Sequence, residues 1–217
     1  MKNLEYEEHP SKDINPNSIV VLLHGIGADA KDLMPLAEYW ASKLEKTKFY
    51  SLYAPYPYSS APFGRQWFDL KDRDQTRILK EIDLIKPVII NFLKDKLKFY
   101  NLKYDNLMLV GFSQGTMVAL NLALTTKENI KGVLGYSGGV ILTKSGKIDI
   151  ISKPNICLVH GNDDEVVPKR MMETTETVLK DSNVDVNSHL IENLGHSIDQ
   201  KALDIGQNFL VKYLLKC

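Results

Sequence analysis

The sequence predicts an α/β fold, a mostly parallel sheet with helices on both faces. Three observations point to it. Short apolar runs rich in β-branched residues alternate along the chain with segments of helical spacing. Three of those runs, Ile19–Leu23, Leu107–Phe112 and Ile156–His160, are apolar almost throughout, as strands buried on both faces must be. One segment, Thr116–Leu124, is apolar nearly all round, which places a helix in the middle of the molecule.

The strands expected in chain order are Ile19–Leu23, Phe49–Ala54, Leu107–Phe112, Gly132–Ser137, Ile156–His160 and Val186–Ile191. Leu33, Leu36, Ala37, Trp40 and Leu44 form one helical stripe. Ile78, Ile82, Ile85, Ile89, Phe92 and Leu97 form a second, which Pro87 should kink or break. A third, Ile198, Ala202, Ile205, Phe209 and Tyr213, closes the chain. No repeat, low-complexity tract or long Ser/Gly/Pro linker interrupts this order, so residues 1–217 read as one domain.

Composition narrows the function. The 217 residues carry 27 Lys+Arg against 27 Asp+Glu, and this balance removes the electrostatic reason to expect a nucleic acid or an anionic membrane as partner. Hydrophobic content of 44 % is that of a globular chain able to bury a core without disulfide or metal staples. The two cysteines, Cys157 and Cys217, are far apart and suggest neither a zinc site nor a disulfide, so a reducing compartment is expected. The first residues lack the apolar core of a signal peptide, and no apolar run reaches the roughly 18 residues of a membrane span. The expectation is a soluble, cytoplasmic protein without metal or cofactor.

The nucleophile pattern G-x-S-x-G occurs twice, at Gly111-Phe-Ser113-Gln-Gly115 and at Gly135-Tyr-Ser137-Gly-Gly139. Its chemistry needs a strand, a sharp turn carrying the serine, and then a helix whose N-terminus faces the developing oxyanion. Ser113 has the strand before it and the buried helix after it. Ser137 follows a strand, but Gly-Gly-Val-Ile-Leu-Thr-Lys-Ser-Gly-Lys has no helical stripe, so it reads as a turn residue.

A serine hydroxyl needs a base, and the base needs a third group to fix its tautomer. Of five histidines, His9 and His189 lie in a polar segment and a strand pattern. His24 and His160 end strands before a glycine, which suggests turn-shaping roles. His196, in the short loop Asn-Leu-Gly-His-Ser before the last helix, is the candidate base. The loop Gly161-Asn-Asp-Asp-Glu165-Val-Val-Pro168 offers Asp163, Asp164 and Glu165 as orienting acid, and spacing does not choose among them. The order serine, acid, histidine is that of α/β-hydrolases. Each candidate follows a strand, and in an open parallel sheet those positions share the carboxyl edge, where ligands bind. The loop His24-Gly-Ile-Gly-Ala-Asp29 reaches the same edge. It can add a backbone N–H to an oxyanion hole, beside the amide of Gln114.

Taken together, Leu22-Leu-His-Gly-Ile-Gly27, Gly64-Arg-Gln-Trp-Phe68, Gly111-Phe-Ser-Gln-Gly115, His160-Gly-Asn-Asp-Asp-Glu-Val-Val-Pro168 and Gly195-His196 resemble the phospholipase/carboxylesterase branch of the α/β-hydrolases, which includes the acyl-protein thioesterases. The resemblance runs from about Ile19 to the C-terminus. It implies an α/β-hydrolase fold and a serine carboxylesterase with Ser113 as nucleophile and His196 as base. The family's HGxxDxxVP pattern selects Asp164 as the acid, and its oxyanion donors fall on the N–H groups of Ile26 and Gln114. Thr116 stands where thioesterase members carry a second glycine, and Ala28-Asp-Ala-Lys31 departs from their Asp-Thr-Gly loop. A lysophospholipase or acyl-protein thioesterase is thus the alternative. A catalytically silent binding module is the reading from another class.

The longest insertions, Tyr56–Lys71 and Val140–Lys153, are too short for a folded cap, so an open, shallow site is expected. Aromatics of the first can line an apolar acyl groove, with Trp67 the preferred substrate contact; the alternative is that they seal the core edge. Arg65 reads as a structural donor, and the lysines of Phe92–Lys103 as a solvated helix face. The expected partner is a small-molecule or lipid ester, or an acylated protein. A homodimer formed through the exposed aromatic edge is the further partner considered, without a sequence pattern to support it.

Overall fold

The computed structural model describes residues 4–71 and 74–215. Nine strands and five α-helices are formed among them: β1 Tyr6–His9, β2 Ser18–Leu23, α1 Met34–Ala41, β3 Thr47–Leu52, β4 Tyr56–Pro57, β5 Arg65–Gln66, α2 Gln75–Phe99, β6 Leu107–Phe112, α3 Gln114–Thr125, β7 Gly132–Tyr136, β8 Asn155–Gly161, α4 Arg170–Asp181, β9 Val186–Ile191 and α5 Gln200–Leu214. Seven strands build one sheet in the order β1-β3-β2-β6-β7-β8-β9, and β4 and β5 form a separate hairpin. Only the edge strand β1 runs antiparallel to its neighbour in the large sheet. The remaining strands are parallel, and helices join them except between β7 and β8, where residues 137–154 form an irregular connection.

Period-two alternation sorts the strand side chains onto two cores. Ile19, Val21, Leu107, Leu109, Ile156 and Leu158 pack with the buried faces of α2, α3 and α4. Val20, Leu22, Met108, Val110, Cys157 and Val159 pack with α1 and α5 on the opposite face. Residues 114–124 of α3 are all buried.

β1 and α4 are additional to the expected elements, and two expected elements take a different form. α2 runs unbroken through Pro87. Pro87 is exposed, so water can take the carbonyl it leaves without a donor. Seven buried apolar side chains on that helix, at ~1.5–3 kcal/mol each, outweigh the ~3 kcal/mol a mid-helix proline costs. β3, expected over Phe49–Ala54, also ends earlier, at Leu52. The Ala54 N–H leaves the ladder and donates to His24 Nε2 at 3.1 Å.

Within the first insertion, Tyr56–Gln66 forms the β4–β5 hairpin. Residues 140–153 contain a turn around Gly146 and neither helix nor strand. Among the described residues no helix is long and apolar enough to cross a membrane. Cys157 is buried and free, and burial pushes its thiol up to about 12. Cys217 lies outside the described residues.

Candidate active site

Strand β6 ends at Phe112, and the next residue turns the chain straight into α3. Ser113 sits there at φ 52°, ψ −116°, away from the left-handed well, a conformation that costs a non-glycine residue about 1–3 kcal/mol. The neighbouring glycines make the turn possible. A Cβ on Gly111 would lie 2.4 Å from the Thr116 backbone, and one on Gly115 would lie 1.9 Å from the Leu23 carbonyl oxygen. The Ser113 N–H donates to Tyr136 O at 2.9 Å and so pins the elbow to β7.

The second serine stands at a similar strand end. Ser137 also has positive φ, 46°, and its N–H donates to Val159 O. No helix follows it. Its side chain is 1 % exposed, and its hydroxyl is buried without a hydrogen-bond partner among the described residues.

The loop after β2 passes directly over the elbow, since a Cβ on Gly25 would lie 3.4 Å from Ser113 Cβ. Residues 25–28 form a turn closed by Ala28 N–H on Gly25 O, with Gly27 at φ 81° supplying the third position. His24 shapes this turn. Its Nε2 accepts from Ala54 N–H, so Nδ1 carries the proton and donates to Gly25 O at 2.7 Å. Burial lowers the pKa of this ring, which favours the neutral form that both bonds require. With the Gly25 carbonyl held on one side of its trans peptide, the Ile26 N–H lies on the other. Among the described residues neither the Ile26 nor the Gln114 N–H is used by a backbone acceptor. That of Gln114 is a free donor of the α3 N-terminus.

Trp67 corrects an expectation. Its side chain is 0 % exposed and therefore out of a substrate's reach. The indole N–H donates to His24 O at 2.8 Å. The Trp67 backbone N–H donates to Gln114 Oε1 at 2.7 Å, and Gln114 Nε2 donates to Phe68 O at 2.7 Å. Residues 67 and 68 therefore bridge the His24–Ala28 loop to the elbow helix. A donor side chain on each partner is visible in the sequence, but the pairing is not. Arg65 is half-buried, contacting Glu5 at 3.4 Å, and its backbone N–H and C=O bond to Ala28 and Gly27.

At the other side of the sheet edge, Asp164 and His196 are together. His196 Nδ1–H donates to Asp164 Oδ2 at 2.7 Å, while Oδ1 accepts the N–H groups of Val166 and Val167 at 2.9 and 2.8 Å. Burial pushes the Asp164 carboxyl up, but the His196 and backbone N–H bonds outweigh it and hold the group below its ordinary range. Asp163 and Glu165 are exposed. The His196 ring packs on Phe112, the residue before Ser113, with centroids 4.9 Å apart. No hydrogen bond joins the Ser113 hydroxyl to His196 among the described residues. Nucleophile–base bonds are commonly long in unliganded enzymes and tighten with substrate. His9 stacks edge-on against Phe49, and His189 is exposed on β9. Among the described residues no three His, Cys, Asp or Glu side chains form a metal-binding group.

A family model described as Phospholipase/Carboxylesterase matches residues 4–214. Esterase YpfH of Escherichia coli K12 is 24 % identical over 92 % of this chain and 84 % of its own length. Acyl-protein thioesterase 1 of Yarrowia lipolytica is 30 % identical over 82 % of this chain and 84 % of its own. Among solved structures, esterase PE8 superposes with a TM-score of 0.91 at 34 % identity, covering 98 % of this chain and 100 % of that one. The Bacillus cereus carboxylesterase has a TM-score of 0.79 at 20 % identity, over 97 % and 94 % of the two chains, a likeness of fold.

Proposed function

The chain belongs to the phospholipase/carboxylesterase family, and from that premise we propose that it is a serine carboxylesterase acting through Ser113, His196 and Asp164. The observation that carries the reading is the pairing of Asp164 with a histidine packed on the residue that precedes the strained serine. Ser113 Oγ attacks the ester carbonyl carbon while His196 Nε2 takes its proton. The carbonyl oxygen becomes the oxyanion and is received by the N–H groups of Ile26 and Gln114. Collapse expels the alcohol, which leaves with the proton from His196, and an acyl–Ser113 ester remains. Water, deprotonated by His196, then releases the acid and restores the serine. Asp164 keeps the His196 proton on Nδ1, so that Nε2 is free to accept.

Ser113→Ala is expected to abolish p-nitrophenyl acetate turnover. Ser137→Ala removes an unpaired buried hydroxyl and should leave both turnover and stability unchanged. The reverse pattern overturns the assignment. Identity to acyl-protein thioesterases supports a second reading of the substrate, a long-chain acyl thioester or lysophospholipid. A series of acyl chain lengths separates the two, with a short-chain optimum for the carboxylesterase and a long-chain optimum for the second.

A further inference from the structure

The reaction written above leaves one buried imidazole beside the acid without a role. His160 is the sixth residue of β8, and its side chain is fully buried together with that of Asp164. Its Nε2 lies 2.8 Å from Val167 O and 3.3 Å from Asp164 Oδ2. A carbonyl only accepts, so Nε2 carries the proton. Its Nδ1 is buried with no partner among the described residues. An apolar side chain would fill the same space without that unmet acceptor, so shape alone does not account for a histidine here.

Nε2 closes a ring of contacts around the acid. Val167 donates its N–H to Asp164 Oδ1 and accepts the His160 proton on its carbonyl. His160 Nε2 then flanks Oδ2, the oxygen that receives His196. Both carboxylate oxygens and the turn that carries them are thereby tied to the rigid end of β8. We propose that His160 is a positioning residue for the reaction, its Nε2–H fixing the 164–167 turn and the Oδ2 face of Asp164 in the orientation that receives His196. The proposal rests on the catalytic reading of Ser113, Asp164 and His196.

Removing the N–H should let the carboxylate rock about its backbone anchors and loosen its hold on the His196 tautomer and angle. Misplacement of this kind acts on the chemical step, not on substrate binding. For His160→Leu we expect kcat for p-nitrophenyl acetate to fall roughly 10- to 100-fold, short of the ~10⁴ that a wrong tautomer costs, with KM within about twofold. His160→Gln returns an amide N–H to the Nε2 position and should recover most of the loss. A side chain with a purely space-filling role would give no such rescue and no split between kcat and KM. Active-site titration restricts both comparisons to folded enzyme.

A measurement without turnover separates this proposal from the esterase reading. In ¹⁵N-histidine-labelled Ser113→Ala protein, His160 should show a protonated Nε2 and a bare Nδ1, and the His196 Nδ1 proton should resonate far downfield. That downfield signal should broaden or move in His160→Leu and return in His160→Gln. A protonated Nδ1 on His160 overturns the proposal even if the leucine variant does not fold. So does an unchanged kcat and downfield signal in His160→Leu, or a glutamine variant no better than leucine. An active Ser113→Ala protein would instead sink the esterase reading and leave the tautomer measurement intact.

Discussion

Asp164→Asn should separate the tautomer function of the acid from its packing. Asparagine has one acceptor end and one donor end, and the structure dictates which faces which way. Oδ1 of Asp164 accepts two backbone N–H groups, from Val166 and Val167. An amide NH₂ there would meet two donors, so the asparagine must keep its oxygen on that side and turn its NH₂ toward His196. Nδ1 of His196 must then accept, which moves the ring proton to Nε2, the atom that in the proposed reaction takes the proton of Ser113. The variant keeps its backbone anchors, although its NH₂ now faces the His160 Nε2–H that flanks Oδ2, which the melt registers. Its base, however, is in the wrong protonation state. A change of this kind lowers kcat by ~10⁴, about 5.4 kcal/mol of transition-state stabilisation. Steady-state p-nitrophenyl acetate kinetics, with a thermal melt for each variant, measure both parts. A loss below tenfold with an unchanged melt would refute the reasoning, because Asp164 would then not govern the His196 proton.

Two further outcomes follow from the loop over the elbow. His24 has its pKa lowered by burial, so the unfolded chain binds more protons than the folded one below pH 6.5. Its contribution is fully present above that pH and is lost as pH falls toward the folded value, at up to about 1.36 kcal/mol per pH unit. Urea titrations of wild type and His24→Gln at pH 7 and 5 should show a smaller loss in the variant, and equal losses would contradict the assignment. Trp67→Phe strands the His24 carbonyl at a buried site, for about 1–3 kcal/mol of stability, and loosens the loop that carries Ile26. A lower melting temperature and a reduced kcat are expected, and a change confined to KM would restore Trp67 as a substrate contact.

How much of this was legible in the sequence follows from where each signal resides. The buried strands and the helix stripes are local patterns, and they led to β2, β6, β8, α1, α2, α3 and α5 with small errors at the ends. β1 escaped because Tyr6–His9 is a four-residue, half-exposed edge strand with no apolar run. α4 escaped because one of its three buried positions is Thr175, so its core stripe is too thin to read. Pro87 misled because a local rule was applied where tertiary burial outweighs it. The elbow at Ser113 was legible because a strand, a glycine pattern and a helix coincide in sequence. The choice of Asp164 over its acidic neighbours was not legible from spacing. It depends on which carboxylate the 164–167 turn directs inward, and the family pattern supplied it. Trp67 and His160 depend on partners 43 and 4 residues away whose approach only the folded chain defines.

The most direct test is stoichiometric labelling. Treated with a fluorophosphonate and analysed by intact mass and peptide mapping, the protein should gain one adduct, on Ser113, and His196→Ala should slow its formation by orders of magnitude. Absence of a covalent adduct, or an adduct on Ser137, would contradict a nucleophile activated at the β6–α3 junction.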